Sequence, residues 1–204
     1  MIKLGDDCTI QDNVILGEKS KKICFHKKLE IGHDALIRSF SVIFCNTKIG
    51  DNFKAGFGVV IREYNKIGNG VSIGTHSELG PENIIGNNVR IHSSCFLERV
   101  IVKEDVFIGP RVVFTDDLHP SCPKYKECEE KTIVEENVSI GANTTILPGM
   151  KIGRNSLIGA GTVVTKDIPS NSVVVGNPGR IIKKVDKLSC HKNFFKKPYE
   201  WRKK

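Results

Sequence analysis

One short segment carries the residue types best suited to move a proton: Phe114-Thr115-Asp116-Asp117-Leu118-His119-Pro120. Histidine, with an unperturbed pKa of about 6.5, can take a proton from an attacking hydroxyl or ammonium group near neutral pH. A carboxylate beside it, such as Asp117, would orient the imidazole and stabilise its charged form, and Asp116 supplies a second carboxylate. Cys122 and Cys128 follow in the same stretch. Together with His119 they raise the question of a metal site. Their C-x5-C spacing departs from usual zinc-ligand spacing and no fourth ligand is evident, so no metal is expected. A cysteine acyl-enzyme would need an adjacent Cys-His-acid pattern, which is absent. His92 and Glu98 flank Cys95 and stand where the surrounding pattern prefers glycine or alanine. On successive turns of the fold they would point outward and line a groove for substrate. Glu78, Asn83 and His76 are weaker candidates of the same kind.

These residues must be held by a scaffold, and the scaffold is written as a repeat. Stepping by six from Ile31 gives Ile37, Ile43, Ile49, Ala55, Ile61, Ile67, Ile73, Leu79, Ile85, Ile91 and Leu97. Neither a helical period of 3.6 nor a strand period of 2 produces this series. Glycine often follows the aliphatic residue, as at Gly32, Gly50, Gly68 and Gly86, and suits a corner. A small or β-branched residue often lies four after it, as at Ala35, Ser41, Val59 and Ser77. The register slips by one after Leu97 and resumes at Val102, Ile108 and Phe114. It returns after a break as Val134, Ile140, Ile146, Ile152, Ile158 and Val164, and an early frame reads Leu4, Ile10 and Leu16. Strands this short cannot bury a face alone and must stack on neighbours. The interruptions, Gly17–Lys28 and Thr115–Ile133, would leave the stack as loops, often on a functional face.

The chain has 204 residues, enough for one domain with a sizeable core. It contains no apolar run long enough for a membrane helix, and its first residues lack the layout of a signal peptide, so a cytoplasmic location is expected. The seven cysteines form no CxxC pair and are expected to be free thiols, mostly in the core. The net charge of +8 is concentrated at the end: residues 183–204 hold nine Lys or Arg against two acids. Such a tail can attract anions or a membrane surface. Basic residues confined to one end, with no recognised motif in the body, argue against nucleic-acid binding.

The repeat resembles that of the hexapeptide-repeat acyltransferases over residues 1–182. It is densest from Ile140-Gly141-Ala142-Asn143-Thr144-Thr145-Ile146-Leu147-Pro148-Gly149 through Ile158-Gly159-Ala160-Gly161-Thr162-Val163-Val164. The resemblance implies an all-β fold, a left-handed parallel β-helix with three short strands per coil. With coils roughly 4.8 Å apart, about eight of them would make a prism on the order of 40 Å long. It also implies a homotrimer with active sites between subunits, and acetyl-CoA as acyl donor. The loop is similar to two subfamilies at once. Sugar O-acetyltransferases of the galactoside and maltose kind carry a His-Pro pair at this exit, whose histidine is their general base, as His119 would be. Nucleotide-amino-sugar N-acetyltransferases carry Phe-Thr-Asn-Asp there, and this chain has Asp116 in place of the asparagine. Val163-Val164-Thr165-Lys166-Asp167-Ile168-Pro169 and Val175-Gly176-Asn177-Pro178-Gly179-Arg180 resemble the family signature after the last coil. The implied coenzyme A contacts are Gly141, Ala142 and Ala160 for the pantetheine arm, the Asn177-Pro178 turn for adenine, and Lys166 and Arg180 for phosphate.

Beyond Arg180, Ile181–Leu188 has helical spacing and would form a short helical or irregular cap over the last coil. The basic, aromatic residues 183–204 would form a tail that packs on a neighbouring subunit or contacts a membrane surface. The leading expectation is acetyl transfer to the amino group of a nucleotide-linked amino sugar for a surface polysaccharide. A sugar O-acetyltransferase, a non-catalytic solenoid scaffold and a metal hydratase on the same prism are the competitors. The six histidines lack the spacing the hydratase would need.

Overall fold

The structure, a computed structural model, describes residues 1–19, 28–124, 127, 130–197 and 199. Each inward aliphatic residue sits on a strand of two to five residues, and the chain turns a corner after each strand. Successive strands visit three sheets in rotation. Sheet A runs from Ile2–Leu4 to Lys151–Ile152, sheet B from Thr9–Ile10 to Arg180–Lys184, and sheet C from Ile15–Glu18 to Val163–Val164. The sheets contain eight, ten and eight strands, so eight coils complete all three sides of the prism. The fold is a left-handed parallel β-helix.

Register follows the repeat. Ile31 pairs with Ile49, Ile49 with Ile67, Ile67 with Ile85, and Ile85 with Val102, which absorbs the one-residue slip. From Ile31 to Val164 the aliphatic series is buried, and so are the small corner residues Ala35, Ser41, Val59 and Ser77. The first coil differs. Leu4 and Ile10 are 42% and 36% exposed because no coil stacks on their outer side among the described residues.

The corners are tied by side chains bonding the next coil. At the corner between sheets A and B, Asp51 accepts from His33 N–H, Asn69 from Asp51 N–H, and Asn87 from Asn69 N–H, at 2.8–2.9 Å. This ladder explains Gly50: a Cβ there would lie 2.1 Å from Asn69 Oδ1. A second ladder runs at the corner between sheets C and A. There the fully buried Asn65 accepts from Asn83 N–H at 3.2 Å, and Asn83 accepts from Val100 N–H at 2.9 Å.

Three expectations need correction. Arg180–Lys184 is a strand, paired antiparallel with Ser172–Val175, and only Val185–Lys187 forms a single 3-10 turn. The last sheet-B strand exposes a hydrogen-bonding edge, and a hairpin strand satisfies it where a helix could not. The second excursion ends at Lys131, because strand Thr132–Val134 already belongs to the seventh coil, and the first sets out only after strand Ile15–Glu18. Cys45 is disulfide-bonded, whereas Cys8, Cys95, Cys122 and Cys190 are free.

Candidate active site

Both excursions leave from one edge of the prism, the corner from sheet C to sheet A. After Phe114, buried on sheet C, Thr115 stays tied to the coil by donating from Oγ1 to Ile146 O at 3.0 Å. The chain then projects outward through Asp116, Asp117 and the exposed His119. Asp117 Oδ1 accepts the backbone N–H of His119 at 2.8 Å, and Cys122 N–H donates to His119 O at 3.0 Å. The carboxylate expected to orient the imidazole thus holds the His119 backbone instead. A short polar residue that bonds the chain two residues on is a turn former, so Asp117 shapes the tight turn that presents His119. Cys128 lies outside the described residues.

One coil toward the N-terminus, Glu98 occupies the same corner. Its carboxylate fills the space over Gly80, where a Cβ would meet Glu98 Oε2 at 2.8 Å. Burial pushes the Glu98 carboxyl above its ordinary value, and the negative charge of Asp116 adds to the effect. Asn83 holds this segment from beneath: Nδ2 donates to Leu97 O at 3.2 Å and Oδ1 accepts from Val100 N–H. Asn83, a minor candidate for substrate contact, is therefore a buried structural residue. Arg62 and the buried Glu63, bonded at 3.0 Å, continue the corner two coils further on and were not singled out from the sequence. Their only sequence signal is a charged pair where the neighbouring coils carry Phe44-Cys45 and Gly80-Pro81.

His92 does not join this group. It lies in the same coil as Glu98, not on a successive one, at the corner from sheet B to sheet C. There it stands against Phe107 with ring centroids 5.0 Å apart. The pairing of Ile91 with Ile108, Ile140 and Ile158 puts His92 in one row with Gly109, Gly141 and Gly159. Gly141, Ala142 and Ala160 stack on this edge. The Asn177-Pro178 turn, with a cis peptide bond, closes on it as Gly179 N–H donates to Val163 O at 2.8 Å. Gly141 is required by packing, since a Cβ would lie 2.5 Å from Ala160 N, whereas Gly161 (φ +70°) has open space around its Cβ position. Arg180 opens the final strand beside this edge, opposite Val175. Lys166 does not reach it. The pairing of Val164 with Ile146, and of Ile146 with Phe114, sets Lys166 on the His119 edge, two coils beyond Asp116.

The arrangement therefore has two edges flanking sheet C. One carries Glu98, Asp116, Asp117, His119 and Lys166. The other carries His92, Gly141, Ala142, Ala160, Asn177, Pro178 and Arg180. The buried Cys95 donates to Gly109 O at 3.1 Å and burial raises its thiol pKa, which leaves it a packing residue. Among the described residues no three His, Cys, Asp or Glu side chains gather as a metal site would need.

Residues 131–166 match the family described as bacterial transferase hexapeptide (six repeats). A galactoside O-acetyltransferase of Lactococcus lactis is 41% identical over 91 residues, 43% of this chain and 44% of the relative. A 2,3,4,5-tetrahydropyridine-2,6-dicarboxylate N-acetyltransferase of Clostridium perfringens is 42% identical over 87 residues, 43% of this chain and 34% of the relative. The chain thus spans less than half the length of either. A solved UDP-N-acetylglucosamine acyltransferase from Bacteroides fragilis shares the fold with a TM-score of 0.63 at 17% identity, covering 89% of this chain and 70% of its own. The inward series and the three parallel sheets give the chain the left-handed β-helix fold, and its residues 131–166 are similar to the repeats of the bacterial hexapeptide transferases.

Proposed function

We propose that this chain transfers an acetyl group from acetyl-CoA to a sugar, and that the acceptor is the amino group of a nucleotide-linked amino sugar used in surface-polysaccharide biosynthesis. The observation that carries the reading is the excursion after Phe114, which presents the exposed His119 from the corner where Asp116 acts on the half-buried Glu98, on an otherwise regular prism. Two of the relatives are named as acetyltransferases, one acting on oxygen and one on nitrogen. Acetyl-CoA would supply an activated thioester. His119 takes the proton the acceptor nitrogen loses as it attacks the carbonyl carbon, the carbon–sulfur bond breaks, and the imidazolium returns the proton to the departing thiolate. Asp117 fixes the turn, while Asp116 and Glu98 hold the acceptor. On the other edge, Gly161 leaves the backbone approachable, and Arg180 offers a cation for phosphate.

The two edges lie on opposite sides of sheet C, so one prism cannot bring His119 and the donor row together. A homotrimer in which a neighbour supplies the second edge completes the site. A monomer that keeps full activity in sedimentation at micromolar concentration would overturn this.

The His119-Pro120 pair favours a second reading, a hydroxyl acceptor. Thiol release from acetyl-CoA, measured across nucleotide-linked amino sugars and plain sugars, separates the two. His119→Asn is expected to lower kcat by roughly 10²–10⁴, with loss of the acid limb of the pH profile. Near-wild-type kcat in His119→Asn, with most activity lost in Asp117→Asn, would mean that the loop positions the acceptor and supplies no base.

A further inference from the structure

A groove on the outer face of sheet B, across coils two to five, meets the second edge of the candidate active site at His92 and extends from there toward the N-terminal coils. Its volume is about 250 Å³, and Arg38, Lys54, Arg90 and His92 line it together with Ser72. No acidic residue lines it, and Arg38, Lys54 and Arg90 form no ion pair among the described residues. The pairing of Ser72 with both Lys54 and Arg90 sets those two cations on either side of a hydroxyl, about 10 Å apart at the backbone. Their long side chains can converge over it. Unneutralised cations around a hydroxyl suit a compact dianion.

Beside this groove, on the corner toward sheet C, stands a ladder of aromatic rings. Phe40 and Phe57 lie 5.2 Å apart between centroids, and Phe57 and His76 5.4 Å apart. Phe40 and Phe57 are 56% and 42% exposed, so their rings contribute little to the core. Phe40 also takes φ +64°, a conformation disfavoured for a bulky residue. At the same turn position later coils carry Ser94, Arg111, Asn143 and Gly161. At this corner the ladder spans coils two to four, and Phe40 and Phe57 stand in the coils that supply Arg38 and Lys54. The groove is smaller than a typical ligand pocket of 300–1,000 Å³. It takes phosphates and leaves an attached ring outside, where the aromatic residues offer a stacking face.

We infer that the groove bounded by Arg38, Lys54 and Arg90, with the Phe40–Phe57–His76 ladder beside it, binds the nucleoside diphosphate portion of the acceptor. This rests on the nucleotide-linked acceptor proposed above and names the residues that would hold its carrier. The cations bind the diphosphate, the ladder stacks the base, and the sugar extends along the row through His92.

Calorimetric titration with UDP, GDP and dTDP tests it, with inorganic pyrophosphate as the ring-less probe. At least one nucleotide is expected to bind. Lys54→Gln and Arg90→Gln should each weaken it about tenfold or more, the effect of losing a charged hydrogen bond. Phe57→Ala should weaken the nucleotide and leave pyrophosphate unchanged. These side chains are exposed, so the variants should melt as the wild type does. The inference is overturned if no nucleotide binds more tightly to the wild type than to the Lys54→Gln/Arg90→Gln double variant. It is equally overturned if the double variant loses its oligomeric state in sedimentation, which would make the groove a subunit contact. Thiol-release assays separate the two levels. Nucleotide binding without acetyl transfer would sink the acetyltransferase reading and leave the groove standing. Transfer to a nucleotide sugar with unchanged kcat/KM in the double variant would do the reverse.

Discussion

Replacing Asn83 by alanine removes one side chain that serves both fold and site. Asn83 Nδ2 donates to Gly80 O at 2.9 Å and to Leu97 O at 3.2 Å, and Oδ1 accepts from Val100 N–H at 2.9 Å. Gly80 O would keep its bond from Asn65 Nδ2, and Leu97 O its bond from Gly80 N–H. Val100 N–H would lose its acceptor in a residue only 1% exposed, beyond the reach of water. An orphaned buried donor costs about 1–3 kcal/mol. The missing amide leaves a small cavity worth about 1 kcal/mol more. The expected loss is therefore about 2–4 kcal/mol, or about 4–16 °C in Tm for a chain of this size. The effect should also be local, because the two bonds bracket Glu98. Hydrogen exchange should show faster exchange over Leu97–Val102, with coils seven and eight little changed, as nearest-neighbour stacking requires. Asn65→Ala should couple to it by about 0.5–3 kcal/mol in a double-mutant cycle, since both side-chain amides donate to Gly80 O. A melting point within about 1 °C of wild type, with Val100 still protected, would refute the view that this ladder supports the Glu98 corner.

Gly50→Ala would force a Cβ against Asn69 Oδ1 and break the bond from Asp51 N–H, so denaturant titration should show a loss of about 1–3 kcal/mol. Arg180→Ala and Lys166→Ala should each weaken coenzyme A binding by about 1.5–3 kcal/mol in direct titration. If only Arg180→Ala does so, the donor site uses the edge bearing Asn177 and Pro178 alone. Glu98 has a raised carboxyl pKa in the fold, so its ionisation penalises folding as pH rises through that value. Glu98→Gln should accordingly raise Tm at pH 8 and leave it nearly unchanged at pH 4, as thermal melts at the two values would show.

The prism was legible because each side needs one inward side chain. Ile31 to Leu97 announces that arithmetic, and even the slip before Val102 is visible as a shortened coil. The His119 excursion was legible for the same reason, since a loop shows where the count fails. The partition of site residues between edges was not. His92 and Glu98 are six residues apart, which in this fold means one full side of the triangle, so closeness in sequence separates them in space. Gly141 suits both packing and ligand approach, and the 2.5 Å approach of Ala160 N shows the packing requirement, which the sequence alone could not separate from the other. The segment Ile181–Leu188 misled because its apolar spacing also fits a strand, and what selects the strand is the otherwise unpaired sheet edge of Ser172–Val175. The cationic groove gathers Arg38, Lys54 and Arg90 from coils that only the pairing register brings together.

The coils form a scale with fixed divisions. Each is held only by the one before and the one after, so whole coils could be gained or lost without disturbing the ladders at the corners. Each such change would move the His119 loop relative to Arg38 and Lys54 by one inter-strand spacing, about 4.8 Å, and by nothing in between. The reach from an anchored anion to the reacting atom is therefore quantised in this architecture. A relative with one coil more between Arg90 and Phe114 would select a longer acceptor with the same side chains, and one with a coil fewer would select a shorter one.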